Sequence, residues 1–111
     1  MIINEERKEN TLILKIGGKL DVVNSETLET NLMGHISNGD LKIILDMEEL
    51  NYISSSGLRI LLLGLKKLKH SDGQLVLSNV RENIKKVLDM SGFTNFFEIA
   101  ESNERALEMI K

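Results

Sequence analysis

Residues 41–69 read LKIILDMEELNYISSSGLRILLLGLKKLK, and this stretch indicates how the chain folds. Its first seven residues contain consecutive apolar side chains, which is typical of a central strand buried on both faces. After SSSG, leucines at positions 58, 61, 62, 65 and 68 recur at the spacing of one helical stripe. The stretch therefore predicts a buried strand at 41–47 and an amphipathic helix at 57–70, with three serine hydroxyls just before the helix.

The segments on either side continue this alternation. Residues 11–18, TLILKIGG, have the periodicity of a strand, and residues 2–9 predict a more polar edge strand beside it. A helix is predicted at 24–38, capped by Asn24 or Ser25, because apolar residues recur at 28, 32 and 36. Further strands are predicted at 74–80 and 96–100, with a short helix ending near Gly92 and a last helix capped by Ser102.

This order predicts the α/β class, with a mixed central sheet of four to five strands and about four helices in one domain spanning residues 1–111. Sites in such folds gather at the carboxyl ends of the strands, where the serines are expected. Gly64 inside an apolar helix indicates close packing at that point. Met90 and the phenylalanines at 93, 96 and 97 are expected in the core or at its edge, although an exposed phenylalanine could join an interface.

Composition limits the classes of function. The apolar content of 41% and charged content of 28% are typical of a globular protein, and the net charge of -3 gives no general attraction to nucleic acid or acidic membranes. The chain has no cysteine, which excludes disulfides and thiolate metal sites. The longest apolar run, at 60–65, is too short to span a bilayer, and the N-terminus lacks the pattern of a signal peptide. A cytoplasmic location without membrane contact is therefore expected.

The sequence offers no recognisable catalytic site. It contains no GxxxxGK[ST] loop and no GxSxG motif, and a serine nucleophile would lack a base. His35 and His70 are the only histidines, and their places near helix ends predict surface residues and no metal site. Neither an enzymatic activity nor a cofactor is expected.

Three segments in order, GGKLDVVNSETL, LDMEELNYISSSGLRILL and LDMSGF, resemble the anti-sigma factor antagonists of the bacterial STAS-domain family. The resemblance extends over essentially the whole chain. It implies a STAS-like fold and partner switching, in which the antagonist binds an anti-sigma factor that is also a serine kinase of the GHKL type, and so releases the sigma factor. The kinase phosphorylates the antagonist and the complex separates, and a serine phosphatase restores binding.

The resemblance also implies particular residues. Ser55 falls on the phosphorylated serine of the family, and Asp21 falls on an aspartate that lies beside that serine. The implied partner-binding set is Asp21, Ser54, Ser55, Ser56, Gly57, Leu58 and Arg59. The chain departs from the family at three points, because Ser54 replaces a common aspartate, Lys19 replaces an acidic residue, and Arg59 replaces a frequent glycine.

Physical reasoning leads to the same location, with alternatives. A helix N-terminus has unpaired N–H groups and favours anions, so a phosphate among the serines would leave the helix intact. Any single serine there is equally well explained as an N-cap, and Asp21 as a turn or capping residue. The alternative functions are a non-phosphorylated STAS subunit of a transporter or larger signalling complex, and a small enzyme or nucleotide-binding domain. A monomer is expected for the free protein.

Overall fold

The structure is a computed structural model that describes residues 1–110. Its strands are β1 (Ile2–Lys8), β2 (Thr11–Leu20), β3 (Lys42–Ile53), β4 (Gln74–Ser78) and β5 (Glu98–Ala100). Its α-helices are α1 (Val22–Ser37), α2 (Ser55–His70), α3 (Glu82–Met90) and α4 (Asn103–Met109), and a short 3-10 helix lies at Phe93–Asn95. The predicted α/β class and order of elements are confirmed.

The five strands form one mixed sheet in the order β1-β2-β3-β4-β5. β1 runs antiparallel to β2, and every later pair is parallel, so each later strand is reached through a helix or helical segment. β3 lies between β2 and β4, and residues 43–45 of β3 are fully buried. The consecutive apolar residues that open β3 therefore have the interior position that their pattern predicts.

The two faces of the sheet pack against different helices. On one face, alternate residues of β2, β3 and β4 form a large core with the apolar stripes of α1, α2 and α3. On the other face, Ile13, Ile44 and Val76 pack against Ala106 of α4 in a smaller cluster. Gly64 allows α1 and α2 to approach, since a Cβ atom there would lie 2.6 Å from Cδ2 of Leu32. The close packing predicted at Gly64 is thus confirmed, and its partner is α1.

Several boundaries differ from the predictions. α1 begins at Val22 because Asp21, and neither Asn24 nor Ser25, is its N-cap, and α2 begins at Ser55, two residues early. β3 continues six residues beyond 47 to Ile53, and β5 contains only residues 98–100.

The expected burial of Met90 is also wrong, and among the phenylalanines Phe96 takes the exposed position that was left open as an alternative. Met90 is 89% exposed because it ends α3 on the side away from the buried Ile84 and Leu88. Phe96 is 56% exposed in the turn before β5, where its ring makes an edge contact with Phe93, whereas Phe97 is buried. Within residues 1–110, no helix combines the length and apolarity needed to cross a bilayer.

Candidate functional site

The N-termini of α1 and α2 lie beside each other at the carboxyl ends of β2 and β3. Leu20 ends β2 opposite Ile53, which ends β3. The backbone N–H of Ser54 donates to the carbonyl of Leu20 at 2.9 Å, and the Ser54 hydroxyl donates to the same oxygen at 3.0 Å. The Leu20 carbonyl therefore holds the start of α2 beside the end of β2. Because Asp21 directly follows Leu20, the predicted Asp21 and the row of serines lie at the same end of the sheet.

Ser54 is the N-cap of α2. Its backbone is extended, and its Oγ accepts a hydrogen bond from the backbone N–H of Gly57 at 3.1 Å. Because the same hydroxyl also donates to Leu20, both of its roles are occupied within the fold. Of the three serines, Ser54 is therefore the structural one.

Ser55 and Ser56 follow in the first turn of α2. The Ser55 side chain is exposed, and Ser56 is partly buried. Among the described residues 1–110, neither hydroxyl has a hydrogen-bond partner. The Ser55 hydroxyl is accordingly presented to solvent at a helix N-terminus, where unpaired N–H groups and the helix dipole favour a negative group.

Gly57 and Leu58 pack the start of α2 against the strand ends and the core. A Cβ atom on Gly57 would lie 2.7 Å from Cγ of Leu20 and 2.9 Å from Cγ1 of Ile53, so the helix start is packed directly on the two strand ends. Leu58 is 8% exposed and belongs to the large core. These two members of the predicted partner-binding set position the serines and do not form the surface.

Asp21 caps α1 in the same way that Ser54 caps α2. Its Oδ1 accepts from the backbone N–H of Asn24 at 2.9 Å, and its carbonyl accepts from the Ser25 hydroxyl at 2.6 Å. The side chain is only partly buried. A capping role for Asp21 therefore coexists with a position at the edge of the serine site.

Exposed apolar side chains lie at the start of α1 and near the end of β3, close in the chain to Asp21 and Ser54. Val22 and Val23 open α1 at 65% and 73% exposure, and Tyr52 near the end of β3 is 48% exposed. Sequence reasoning missed these three residues. A signal was present, since two adjacent β-branched residues, which are modest helix formers, directly follow a capping aspartate.

Exposed cations are the remaining feature of the site. Arg59 lies one turn beyond Ser55 and Lys19 lies one residue before Leu20, and both side chains are exposed. Neither takes part in an ion pair with any described residue, and the first turn of α2 has no acidic residue. Arg59 and Lys19 are therefore available to an anion from outside.

A second charged cluster lies at the other end of α1, away from the serines. The two terminal nitrogens of Arg7, Nη1 and Nη2, donate to the two carboxylate oxygens of Asp40 at 2.7 and 3.0 Å and hold the pKa of that carboxyl below its usual value. His35 lies between Asp40 and Glu5, at 3.3 and 3.1 Å. Its ring is mostly buried, so the prediction of a surface histidine is wrong for His35. The cluster fastens β1 to the end of α1.

A buried polar network lies on the α4 face of the sheet. The carboxylate of Asp46 accepts from the side-chain amides of Asn79 and Asn103 at 3.0 and 2.9 Å, and from the backbone N–H of Glu48 at 3.1 Å. The Ser78 hydroxyl donates to Asn103 at 2.5 Å. Both carboxylate oxygens of Asp46 accept hydrogen bonds, and through Ser78 and Asn103 the network joins β3, β4 and α4. Within residues 1–110, no three acidic or histidine side chains gather as a metal site.

The structure is an α/β domain with a mixed five-stranded sheet, in which two helices begin side by side at the carboxyl ends of β2 and β3. The family model of the STAS domain matches residues 3–106. The chain therefore belongs to the STAS domain family, and the family predicted from the three sequence segments is confirmed.

Curated relatives and solved structures agree with this assignment. BtrV of Bordetella bronchiseptica, which carries the name of an anti-sigma factor antagonist, is 34% identical over 111 residues, covering 100% of this chain and 96% of BtrV. The anti-sigma-B factor antagonist of Bacillus subtilis is 26% identical over 107 residues, with 96% of each chain covered.

Solved structures show the same fold. SpoIIAA, an anti-sigma factor antagonist, has a TM-score of 0.78 in its unphosphorylated form, at 22% identity over 97% of this chain and 96% of SpoIIAA. The phosphorylated form of SpoIIAA from Bacillus has a TM-score of 0.76, at 24% identity over 99% of this chain and 100% of SpoIIAA. At these identities the likeness is one of fold.

Proposed function

We propose that this protein is a phosphorylation-controlled partner switch. In its unmodified form it binds an anti-sigma factor that is also a serine kinase of the GHKL type, and the sigma factor is released. The kinase transfers phosphate to Ser55, the complex separates, and a serine phosphatase restores the binding form. The protein acts as a substrate and a binding partner without a catalytic activity or cofactor. It acts in the cytoplasm as a monomeric domain of residues 1–111, without contact with nucleic acid or membrane.

The observation that carries this proposal is the difference between two adjacent hydroxyls. Ser54 is fully engaged by Leu20 and Gly57, whereas Ser55 is exposed and has no hydrogen bond within residues 1–110. Modification of Ser55 therefore removes no native hydrogen bond of its side chain. Because the phosphate would stand at the N-terminus of α2, the helix would tolerate its charge.

The surroundings of Ser55 explain how one phosphate could end binding. Val22, Val23 and Tyr52 provide apolar area of the kind that a partner buries. In a complex formed on this area, the Ser55 hydroxyl becomes desolvated together with the apolar side chains. A phosphate of about -1.5 to -2 charges at that position would have to be desolvated as well, which disfavours the complex.

The relatives support the proposal in two ways. The curated relatives are named as antagonists of anti-sigma factors, and BtrV aligns with the whole of this chain. SpoIIAA has been solved in unphosphorylated and phosphorylated forms, and both resemble this fold to a similar degree, with TM-scores of 0.78 and 0.76. A phosphate is thus compatible with the fold in that relative.

The test is phosphorylation by candidate GHKL-type anti-sigma kinases with ATP, followed by intact-mass measurement and peptide mapping. We expect one added phosphate on wild type and on Ser56→Ala, and none on Ser55→Ala. Circular dichroism confirms that each variant is folded. Binding to the kinase without any phosphate transfer would overturn the switch and favour a non-phosphorylated STAS subunit of a transporter or larger signalling complex. ATP turnover by the protein alone would favour the enzyme alternative.

A further inference from the structure

Arg59 and Ser55 stand one above the other on the exposed side of α2. They are four residues apart, which places them on the same helical face about 6 Å apart along the axis. Both side chains are exposed. A group attached to the Ser55 hydroxyl therefore has the guanidinium of Arg59 within reach of its own helix.

Arg59 has no resident anion. Within residues 1–110 it makes no ion pair or side-chain hydrogen bond. α2 contains no aspartate or glutamate, and the residues three and four positions away from Arg59 are two serines and two leucines. On this helix, a phosphate on one of the serines would be the nearest negative charge that Arg59 could meet.

We propose that Arg59 binds the phosphate on Ser55 and so holds the modified serine against its own helix. This inference rests on the proposed function, because it presupposes a phosphate at Ser55. A guanidinium presents paired N–H donors that match phosphate oxygens, and the hydrogen bonds are charge-assisted. The order is also favourable, since an acidic group four residues before a basic one is the better orientation in a helix.

The pairing has a consequence for partner switching. In the unmodified protein, Arg59 is an exposed cation one helical turn beyond Ser55, and an acidic group of a partner could pair with it. In the modified protein, the phosphate pairs with the Arg59 guanidinium, which is then no longer available to a partner. One modification then introduces a negative charge and withdraws a positive one, so Arg59 increases the difference in affinity between the two forms.

The test uses protein with phosphoserine incorporated at position 55 during translation, so that no kinase is required. Titration by phosphorus NMR measures the second pKa of the phosphate, which is ordinarily about 6. We expect Arg59→Gln to raise this pKa by about 0.2 to 0.4 unit, since a lost cation makes the dianion less favourable. Arg59→Lys should lie between wild type and Arg59→Gln, because lysine keeps the charge and loses the fork of donors.

Lys66→Gln is the matched control. Lys66 is exposed on the same face of α2, but it lies about 16 Å from Ser55 along the helix axis, beyond the screening length at physiological salt. The phosphate pKa in Lys66→Gln should equal that of wild type. If Arg59→Gln also equals wild type, or if Lys66→Gln shifts the pKa as much as Arg59→Gln does, direct pairing with Arg59 is overturned.

These outcomes are separable from the proposed function. A kinase that never modifies Ser55 would sink the proposed function while leaving the NMR result intact. An unshifted pKa in Arg59→Gln would sink the role of Arg59 while leaving the switch at Ser55 intact. With a responsive kinase in hand, the affinity ratio between unmodified and phosphorylated protein should fall about twofold in Arg59→Gln, and an unchanged ratio counts against the effect on switching.

Discussion

Loss of the hydroxyl should destabilise the protein at Ser54 and leave its stability nearly unchanged at the adjacent Ser55. Ser54→Ala removes the acceptor of the Gly57 N–H and one of the two donors to the Leu20 carbonyl. That carbonyl keeps the 2.9 Å hydrogen bond from the Ser54 N–H, so the unpaired group is the amide of the buried Gly57. Loss of an N-cap costs about 0.5–2 kcal/mol, and because the amide is buried we expect a loss of about 1.5 kcal/mol.

For a chain of this length, ~1.5 kcal/mol lowers the melting temperature by about 6 °C. Ser55→Ala removes a hydroxyl with no partner in residues 1–110, and its free energy of unfolding should stay within about 0.5 kcal/mol of wild type. Urea unfolding followed by circular dichroism measures both values, with Ser56→Ala as a further control. If Ser55→Ala destabilises the protein as much as Ser54→Ala does, the division between a structural and a modifiable serine is wrong.

Three further predictions concern charge. Ser55→Ala should bind the kinase constitutively, whereas Ser55→Asp should bind more weakly by about 2 kcal/mol, or thirtyfold, and calorimetry showing equal affinities would rule out charge exclusion. Asp21→Asn should preserve the cap of α1, and therefore the melting temperature, while changing phosphorylation or partner affinity. A large loss of stability with normal phosphorylation would instead show that Asp21 has only a structural role. Because Arg7 lowers the pKa of Asp40 below 3.8 in the folded state, the pair contributes stability above that pH and loses it as the pH falls through the folded pKa. The stability difference between wild type and Arg7→Gln should thus be present at pH 7 and shrink below about pH 4, and a difference independent of pH would contradict this.

The parts of the fold that the sequence predicts are those in which pattern and packing agree. The consecutive apolar residues that open β3 and the leucine stripe of α2 leave little choice of structure, and both were predicted. The start of α1 was not predicted correctly, because Asp21, Asn24 and Ser25 can all act as N-caps. The choice among them depends on where β2 ends, and the pairing of Leu20 with Ile53 determines that end. Such pairing is a tertiary contact that local sequence does not encode.

The same reasoning applies to the site. Three consecutive serines are equivalent in sequence, and physical chemistry alone predicts only that at least one of them caps α2. Ser54 becomes the cap because β3 ends opposite β2 in a register that brings its N–H and hydroxyl to the Leu20 carbonyl. The exposed Val22, Val23 and Tyr52 escaped prediction because no local pattern distinguishes an exposed apolar residue from a buried one; Val22 and Val23 open α1, and Tyr52 lies one residue before the end of β3.

The use of serine as the cap has a consequence for the switch proposed at Ser55. An aspartate at position 54 would cap α2 equally well, but it would place a permanent negative charge beside the modified serine. With the neutral Ser54 and no acidic residue anywhere on α2, the unmodified helix carries only positive charges on its surface. A phosphate on Ser55 would then be the first negative group on this helix, and it would reverse the sign of the charge at its N-terminal end. A cap without charge therefore adds no permanent negative charge of its own that would reduce the electrostatic contrast between the two states.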